Sequence, residues 1–198
     1  MKKIIFLFGL IAICLAGFSQ ETGTFTDPRD NKVYKTVTIN GQTWMAENLV
    51  FKAKSGCWAY DNNENNVATY GYLYTLTTAK KSCPVGWHVP SNVEWFILTD
   101  YLGDENSGGK LKEIGLTHWK SPNEGANNET GFTALPGGYH FTGKTFAYLG
   151  YAGYWWTSSK GENGYTYKII STTNANKNKV ADASNSPKLG VSVRCVKD

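Results

Sequence analysis

Histidine is scarce in this chain. His88, His118 and His140 are the only three among 198 residues, and no two have the i, i+4 spacing of a helical metal pair. Charge of one sign is lacking too. Twenty basic against 16 acidic residues leave a formal +4, to which Lys2 and Lys3 contribute two. So small a surplus does not build a dedicated nucleic-acid surface. After Ala16 no apolar run is long enough to span a bilayer, so no membrane span is expected beyond the first residues. There is no repeat of fixed period and no composition break that would mark a domain boundary. Cysteine is limited to Cys14, Cys57, Cys83 and Cys195.

What is present begins with a leader. Lys2 and Lys3 form a charged start, Ile4 to Ala16 is apolar, and Gly17 and Ser19 are the small residues of a cleavage after Ser19. A lipid-attached Cys14 would need a small residue before it, and Ile13 stands there. The expected organisation is a signal peptide over 1–19, a short unstructured leader over 20–24 and one domain over 25–198. The expected location is outside the cytoplasm, secreted or at the cell surface. Export favours a disulfide. Of the three pairings open to Cys57, Cys83 and Cys195, the favoured one is Cys83–Cys195, because each of these sits beside a firm secondary-structure signal.

The stretch Ser82 to Trp95 organises the rest. Pro84-Val85-Gly86 is a rigid turn, and Ser91 with Glu94 makes a capping box that opens a helix over Asn92 to Leu102. Val93, Phe96, Ile97 and Tyr101 recur at helical spacing, and Gly103 is placed to end the helix in a left-handed conformation. Upstream, Val33 to Ile39 and Gln42 to Met45 flank Asn40-Gly41, the strongest short hairpin signal. A short helix is expected from Leu76 to Lys81, a mobile loop over Gly103 to Gly109, and a helical turn at Lys110 to Glu113. Strands are expected at Gly131 to Tyr139, closed by a Pro-Gly-Gly turn, then at Tyr151 to Ser159, Tyr165 to Thr172 and Val191 to Val196. An Asn- and Lys-rich turn covers Asn174 to Lys179. The fold class is α+β, with short helices early and short antiparallel strands.

Several blocks in order carry a family resemblance: Thr26-Asp27-Pro28-Arg29-Asp30, Gln42-Thr43-Trp44-Met45-Ala46-Glu47-Asn48-Leu49 and Cys83-Pro84-Val85-Gly86-Trp87-His88-Val89-Pro90. Gly131 to Tyr139, Tyr154-Trp155-Trp156-Thr157-Ser158-Ser159 and Val193-Arg194-Cys195-Val196 continue it. The chain resembles the Fibrobacter succinogenes major paralogous domain family, bacterial secreted proteins with no assigned reaction. The arrangement of helices and cysteines is also similar to the C-type lectin-like fold, where the equivalent disulfide clamps the second helix to the last strand. His88 to Trp95 is similar to a segment of the formylglycine-generating-enzyme group, which shares that fold.

These resemblances imply a binding module rather than an enzyme. Formylglycine-type oxidation would need a close cysteine pair near the C-terminal end to hold copper, and only Cys195 is there. Calcium-binding lectins hold metal with two triplets. Pro122-Asn123-Glu124 is a scrambled form of the first, and Trp156 is followed by Thr157-Ser158 where the second would lie. No metal and no cofactor is therefore expected. With 14% aromatic residues and abundant amides, a glycan or other surface ligand fits best. The candidate binding residues are Trp119, Asn127, Asn128, Tyr139 and His140. The alternative is a structural component of the cell envelope that meets a protein partner.

Overall fold

A computed structural model describes residues 20–141, 145–161, 164–172, 178–185 and 189–198. The expected signal peptide, 1–19, lies outside the described residues, as does most of the Asn174–Lys179 turn.

A five-stranded antiparallel sheet forms the centre, in the order β1-β2-β3-β13-β6. Its strands are β1 (Glu21–Thr26), β2 (Val33–Ile39), β3 (Gln42–Met45), β6 (Trp87–His88) and β13 (Val196–Lys197). Asn40 and Gly41 join β2 to β3 with φ of 46° and 77°, the double left-handed turn that their sequence predicts. β1 corrects an expectation. Its stretch reads as a loose polar leader, yet all six of its residues pair with β2, from Glu21 opposite Thr38 to Thr26 opposite Val33. Its side chains stay largely exposed, so order comes from the backbone ladder rather than from burial.

Both faces of this sheet are covered. Alternate residues of a strand point to opposite faces. Tyr34 and Met45 thus enter one core with Leu49, Tyr74, Trp87, Trp156 and Cys195. Val37, Ile39, Trp44 and Val196 enter another with Trp95, Leu98, Trp119, Phe132 and Trp155. Helix α3 (Asn92–Tyr101) closes the second core, after four short helices and helical turns that include α1 (Val67–Tyr70) and α2 (Leu76–Ala79). Its capping box is complete: Ser91 Oγ accepts from Glu94 N and Glu94 Oε2 accepts from Ser91 N. Gly103 is left-handed at φ 76°. The helix faces opposite to its most regular apolar stripe. Trp95, Leu98 and Leu102 go inside, while Val93, Phe96, Ile97 and Tyr101 stay exposed. The expected mobile loop after Gly103 holds a helical turn (Asp104–Asn106) and α4 (Ser107–Leu111), packed through Gly108 and Gly109.

Three small sheets complete the fold. β4 (Cys57–Trp58) pairs with β5 (Leu73–Tyr74). β7 (Gly137–Phe141) lies between β8 (Phe146–Leu149) and β12 (Leu189–Gly190). β10 (Gly164–Ser171) lies between β9 (Ala152–Gly161) and β11 (Ala181–Asn185). The stretch expected as a buried strand, 131–136, contributes only one bridge, Ala134 to Lys112, and β7 begins inside the expected Pro-Gly-Gly turn. The closing segment 191–196 is extended but shared among neighbours. Val191 N bonds to Tyr74 O, Ser192 N to Tyr154 O, and Cys195 O accepts from Met45 N.

Two devices fix that closing segment. Cys83 and Cys195 form a disulfide with Cα atoms 5.9 Å apart, across 112 residues of sequence. Arg194 is fully buried, and its Nη2 and Nε donate to Asn48 Oδ1 at 3.0 and 3.3 Å. The same oxygen accepts from Trp155 Nε1 at 2.9 Å, and Asn48 Nδ2 donates to Tyr70 O at 2.8 Å. The guanidinium also donates to Phe132 O and lies 4.2 Å from the Phe132 ring centre. Burial pushes the Arg194 pKa down to about 9, which still leaves it charged at neutral pH. Among the described residues no helix is long and apolar enough to cross a membrane.

Candidate functional site

The β7–β8 hairpin and the turn after it gather an unusual density of rings at the surface. On one face Tyr139 lies 5.7 Å from Tyr148, with their planes 30° apart, and 5.2 Å edge-on from Tyr154. Tyr154 in turn meets Tyr167 at 6.1 Å. On the other face His140 is held between Trp58 and Phe146, at 4.5 and 4.4 Å, and Tyr60 packs on Phe146 at 5.2 Å. Successive residues of β7 thus serve two separate aromatic stacks.

Tyr148 stands out. Its φ is 66°, in the left-handed region that a bulky side chain rarely adopts. Such a conformation costs about 1–3 kcal/mol and persists only where the surroundings impose it. Here they do. Gly138, opposite in the hairpin, is also left-handed, and any Cβ there would sit 2.3 Å from Ala147 O. Gly150, at φ 83°, donates to Pro136 O at 2.9 Å and accepts from Lys120 N at 2.7 Å, which pins the turn. The outcome is a tip on which Tyr148 is 49% and Tyr151 43% exposed, backed by the half-buried Tyr139.

The residues singled out in the sequence separate into three groups. Tyr139 and His140 are in the hairpin, on opposite faces. His140 is buried, with no partner for Nδ1 among the described residues, and burial pulls its pKa down, so the ring is neutral at physiological pH. Asn127 and Asn128 belong to the 117–130 loop and brace it. Asn128, left-handed at φ 45°, donates to Thr133 Oγ1 and accepts from Thr133 N, and Asn127 Nδ2 reaches Glu129. Trp119 is a correction. It is fully buried, its indole N–H donating to Ala134 O at 3.0 Å, and it offers no ring face to a ligand.

The loop also holds a cation of its own. Lys112, fully buried, donates through Nζ to Glu124 O at 2.7 Å and lies 5.6 Å from the Trp119 ring centre. An ammonium thus sits beside the Pro122-Asn123-Glu124 triplet, where a bound calcium would need carbonyl and carboxylate oxygens. Cys195 is committed to its disulfide, and Cys57, half-buried, donates to Ala53 O at 3.2 Å. The sequence signal that finds Tyr148 is faint: a tyrosine two residues before Gly150, in a run with no strand alternation.

A family model described as the Fibrobacter succinogenes major domain matches residues 37–197. No curated protein and no solved structure matches the chain.

Proposed function

The chain belongs to the Fibrobacter succinogenes major domain family, and from that premise we propose that it is a non-catalytic carbohydrate-binding module working outside the cytoplasm. In this reading residues 1–19 direct export, and the domain is a variant of the C-type lectin-like fold with its clamping disulfide. The observation that carries the reading is Tyr148, a large ring held half-exposed in a strained backbone conformation beside Tyr139. Aromatic faces stack on the apolar C–H faces of sugar rings, and a rigid tyrosine loses little entropy in doing so. Tyr151, whose N donates to Tyr148 O at 3.0 Å, adds a second half-exposed ring at the same turn. Binding is independent of calcium, a reading supported by the Lys112 ammonium beside Glu124.

The test is depletion of the purified protein by a panel of insoluble polysaccharides, in calcium and in EDTA. The expected result is binding that survives EDTA and falls about tenfold in Tyr148→Ala, the loss of roughly 1.4 kcal/mol. Binding that vanishes in EDTA would overturn the metal-free reading. Binding unchanged in Tyr148→Ala would remove the platform.

A second reading has its own observation. The exposed α3 stripe of Val93, Phe96, Ile97 and Tyr101 is suited to a protein partner in the cell envelope. Cross-linking from a photoreactive residue at position 96 would test it. A specific adduct alongside unaltered polysaccharide binding supports both readings together, and no adduct removes this one.

A further inference from the structure

Away from the tyrosine hairpin, a groove of about 500 Å³ opens between the β1–β2 edge and the segments at 46–50, 68–69 and 131–135. The size suits a small ligand. Its lining includes the hydroxyls of Thr36, Thr69 and Thr133, the opposite charges of Lys35 and Glu47, and the imidazole of His118. Among the described residues no phenyl, phenol or indole ring lines it, so it is a place for hydrogen bonds rather than for stacking.

His118 is set as an acceptor. Its Nδ1 lies 2.8 and 2.9 Å from the two carboxylate oxygens of Glu113. A carboxylate only accepts, so Nδ1 carries the proton, and the tautomer this selects has its lone pair on Nε2. The dyad is braced on every side. Tyr70 meets the imidazole edge-on at 5.7 Å. Glu113 N donates to Ala134 O at 3.2 Å, and Asn123 Nδ2 donates to Glu113 O at 3.0 Å and Gly115 O at 2.7 Å. A histidine fixed in ring plane and in tautomer, on the wall of a hydroxyl-lined groove, selects a ligand that brings a hydrogen-bond donor.

We propose that this groove is a second binding site, for a compact polyol such as a sugar ring or sugar alcohol, with one ligand hydroxyl donating to His118 Nε2. A fully deprotonated oxyanion has no proton to give that nitrogen, and the Glu47 carboxylate lines the same groove. The Thr36 and Thr69 hydroxyls can both donate and accept, as a polyol requires, while that of Thr133 already donates to Gly131 O and accepts from Asn128 Nδ2. None of Tyr139, Tyr148 or Tyr151 lines the groove, so the two sites can fail separately.

The experiment is an NMR titration of ¹⁵N-labelled protein, following the three imidazole rings, with glucose, xylose and mannitol, and with methyl glucoside and methyl xyloside. The expected result is a saturable movement of the His118 Nε2 resonance while those of His88 and His140 stay in place. His118→Ala should weaken binding at least about tenfold. Glu113→Gln can donate to Nδ1 and so move the proton to Nε2, and it should weaken binding as much although the ring remains. Tyr148→Ala should leave this titration unchanged. Response to free sugars and glycosides alike indicates a site for small soluble polyols, and response to glycosides alone indicates a glycan end. The proposal falls if none of these compounds moves His118, or if one saturates without doing so. It also falls if His118→Ala binds like the parent. The titration of the unmodified protein decides the matter even where a variant fails to fold.

Discussion

Two aromatic clusters of this protein put ring packing to opposite ends. In the core on one side of the central sheet, Trp44, Trp95, Phe132 and Trp155 pack in tilted and edge-on pairs within 5.0–6.4 Å, and all four are fully buried. At the hairpin, Tyr139 and Tyr148 sit at similar separations but keep much of their surface in water. Burial rewards the first cluster with the hydrophobic effect and dispersion. The second receives less of either and carries a left-handed tyrosine besides. A cluster held together by what it hides contributes stability, whereas one held in place despite what it exposes is a surface kept ready.

That contrast can be broken at several points. The largest effect belongs to the core: Trp95→Ala should cost about 4 kcal/mol, read as a lower urea midpoint at unchanged slope, because it leaves a large cavity. Losing the Cys83–Cys195 bond through a double substitution to alanine should cost nearly as much, about 4 kcal/mol, since it frees a loop of 112 residues in the unfolded chain. Asn48→Ala strips the buried Arg194 of its shared acceptor and should cost about 3 kcal/mol. At the hairpin the sign of the comparison reverses. Tyr148→Gly removes the backbone strain with the ring, so thermal stability should stay within about 1 kcal/mol of the parent while polysaccharide binding falls about tenfold, as in Tyr148→Ala. If Tyr148→Gly destabilised the protein as much as Trp95→Ala does, the two clusters would be one kind.

The smallest effect is electrostatic and lies at the chain end. His88 Nδ1 meets Asp198 at 2.6 Å and its Nε2 meets Glu94 at 2.7 Å. Burial alone would lower the His88 pKa, but the bonds to Asp198 and Glu94 outweigh it and raise the value above 6.5. Burial would raise Glu94, but its bonds to Ser91 and then to His88 hold it below 4.5. The histidine's contribution is therefore complete below pH 6.5 and fades as pH rises through the raised value. The glutamate's is complete above pH 4.5 and fades as pH falls. The clamp is tightest between those limits. His88→Gln should flatten the decline in urea midpoint between about pH 6 and pH 8. An unchanged decline would assign it to other groups.

Much of this architecture is legible in the residues, and the exceptions have physical reasons. Asn40-Gly41 and the Ser91–Glu94 box announce themselves because their local chemistry admits few alternatives. β1 does not, since Glu21 to Thr26 gains order only from the partner strand. The facing of α3 is ambiguous in principle: Val93, Phe96, Ile97 and Tyr101 compete with Trp95, Leu98 and Leu102 on a helix apolar nearly all round. Trp119 is hidden by the polar loop that carries it inward. Asn48 and Arg194 stand 146 residues apart, and nothing local ties an amide to a buried guanidinium. Tyr148 is the least legible, because residue type alone does not encode a left-handed tyrosine. That the strained position falls on the exposed ring is what singles it out for function.

The Cys83–Cys195 bond also bears on how the molecule ages once a protease reaches it. The exposed α3, the groove histidine and the tyrosine tip all lie between the two bonded positions. A protease that cut an exposed loop there, such as the stretch around Leu116, would produce two pieces that remain one covalent molecule. Such a nicked protein would run as intact on a non-reducing gel and separate only under reduction. Damage of that kind would leave the tyrosine platform tethered to the rest of its domain.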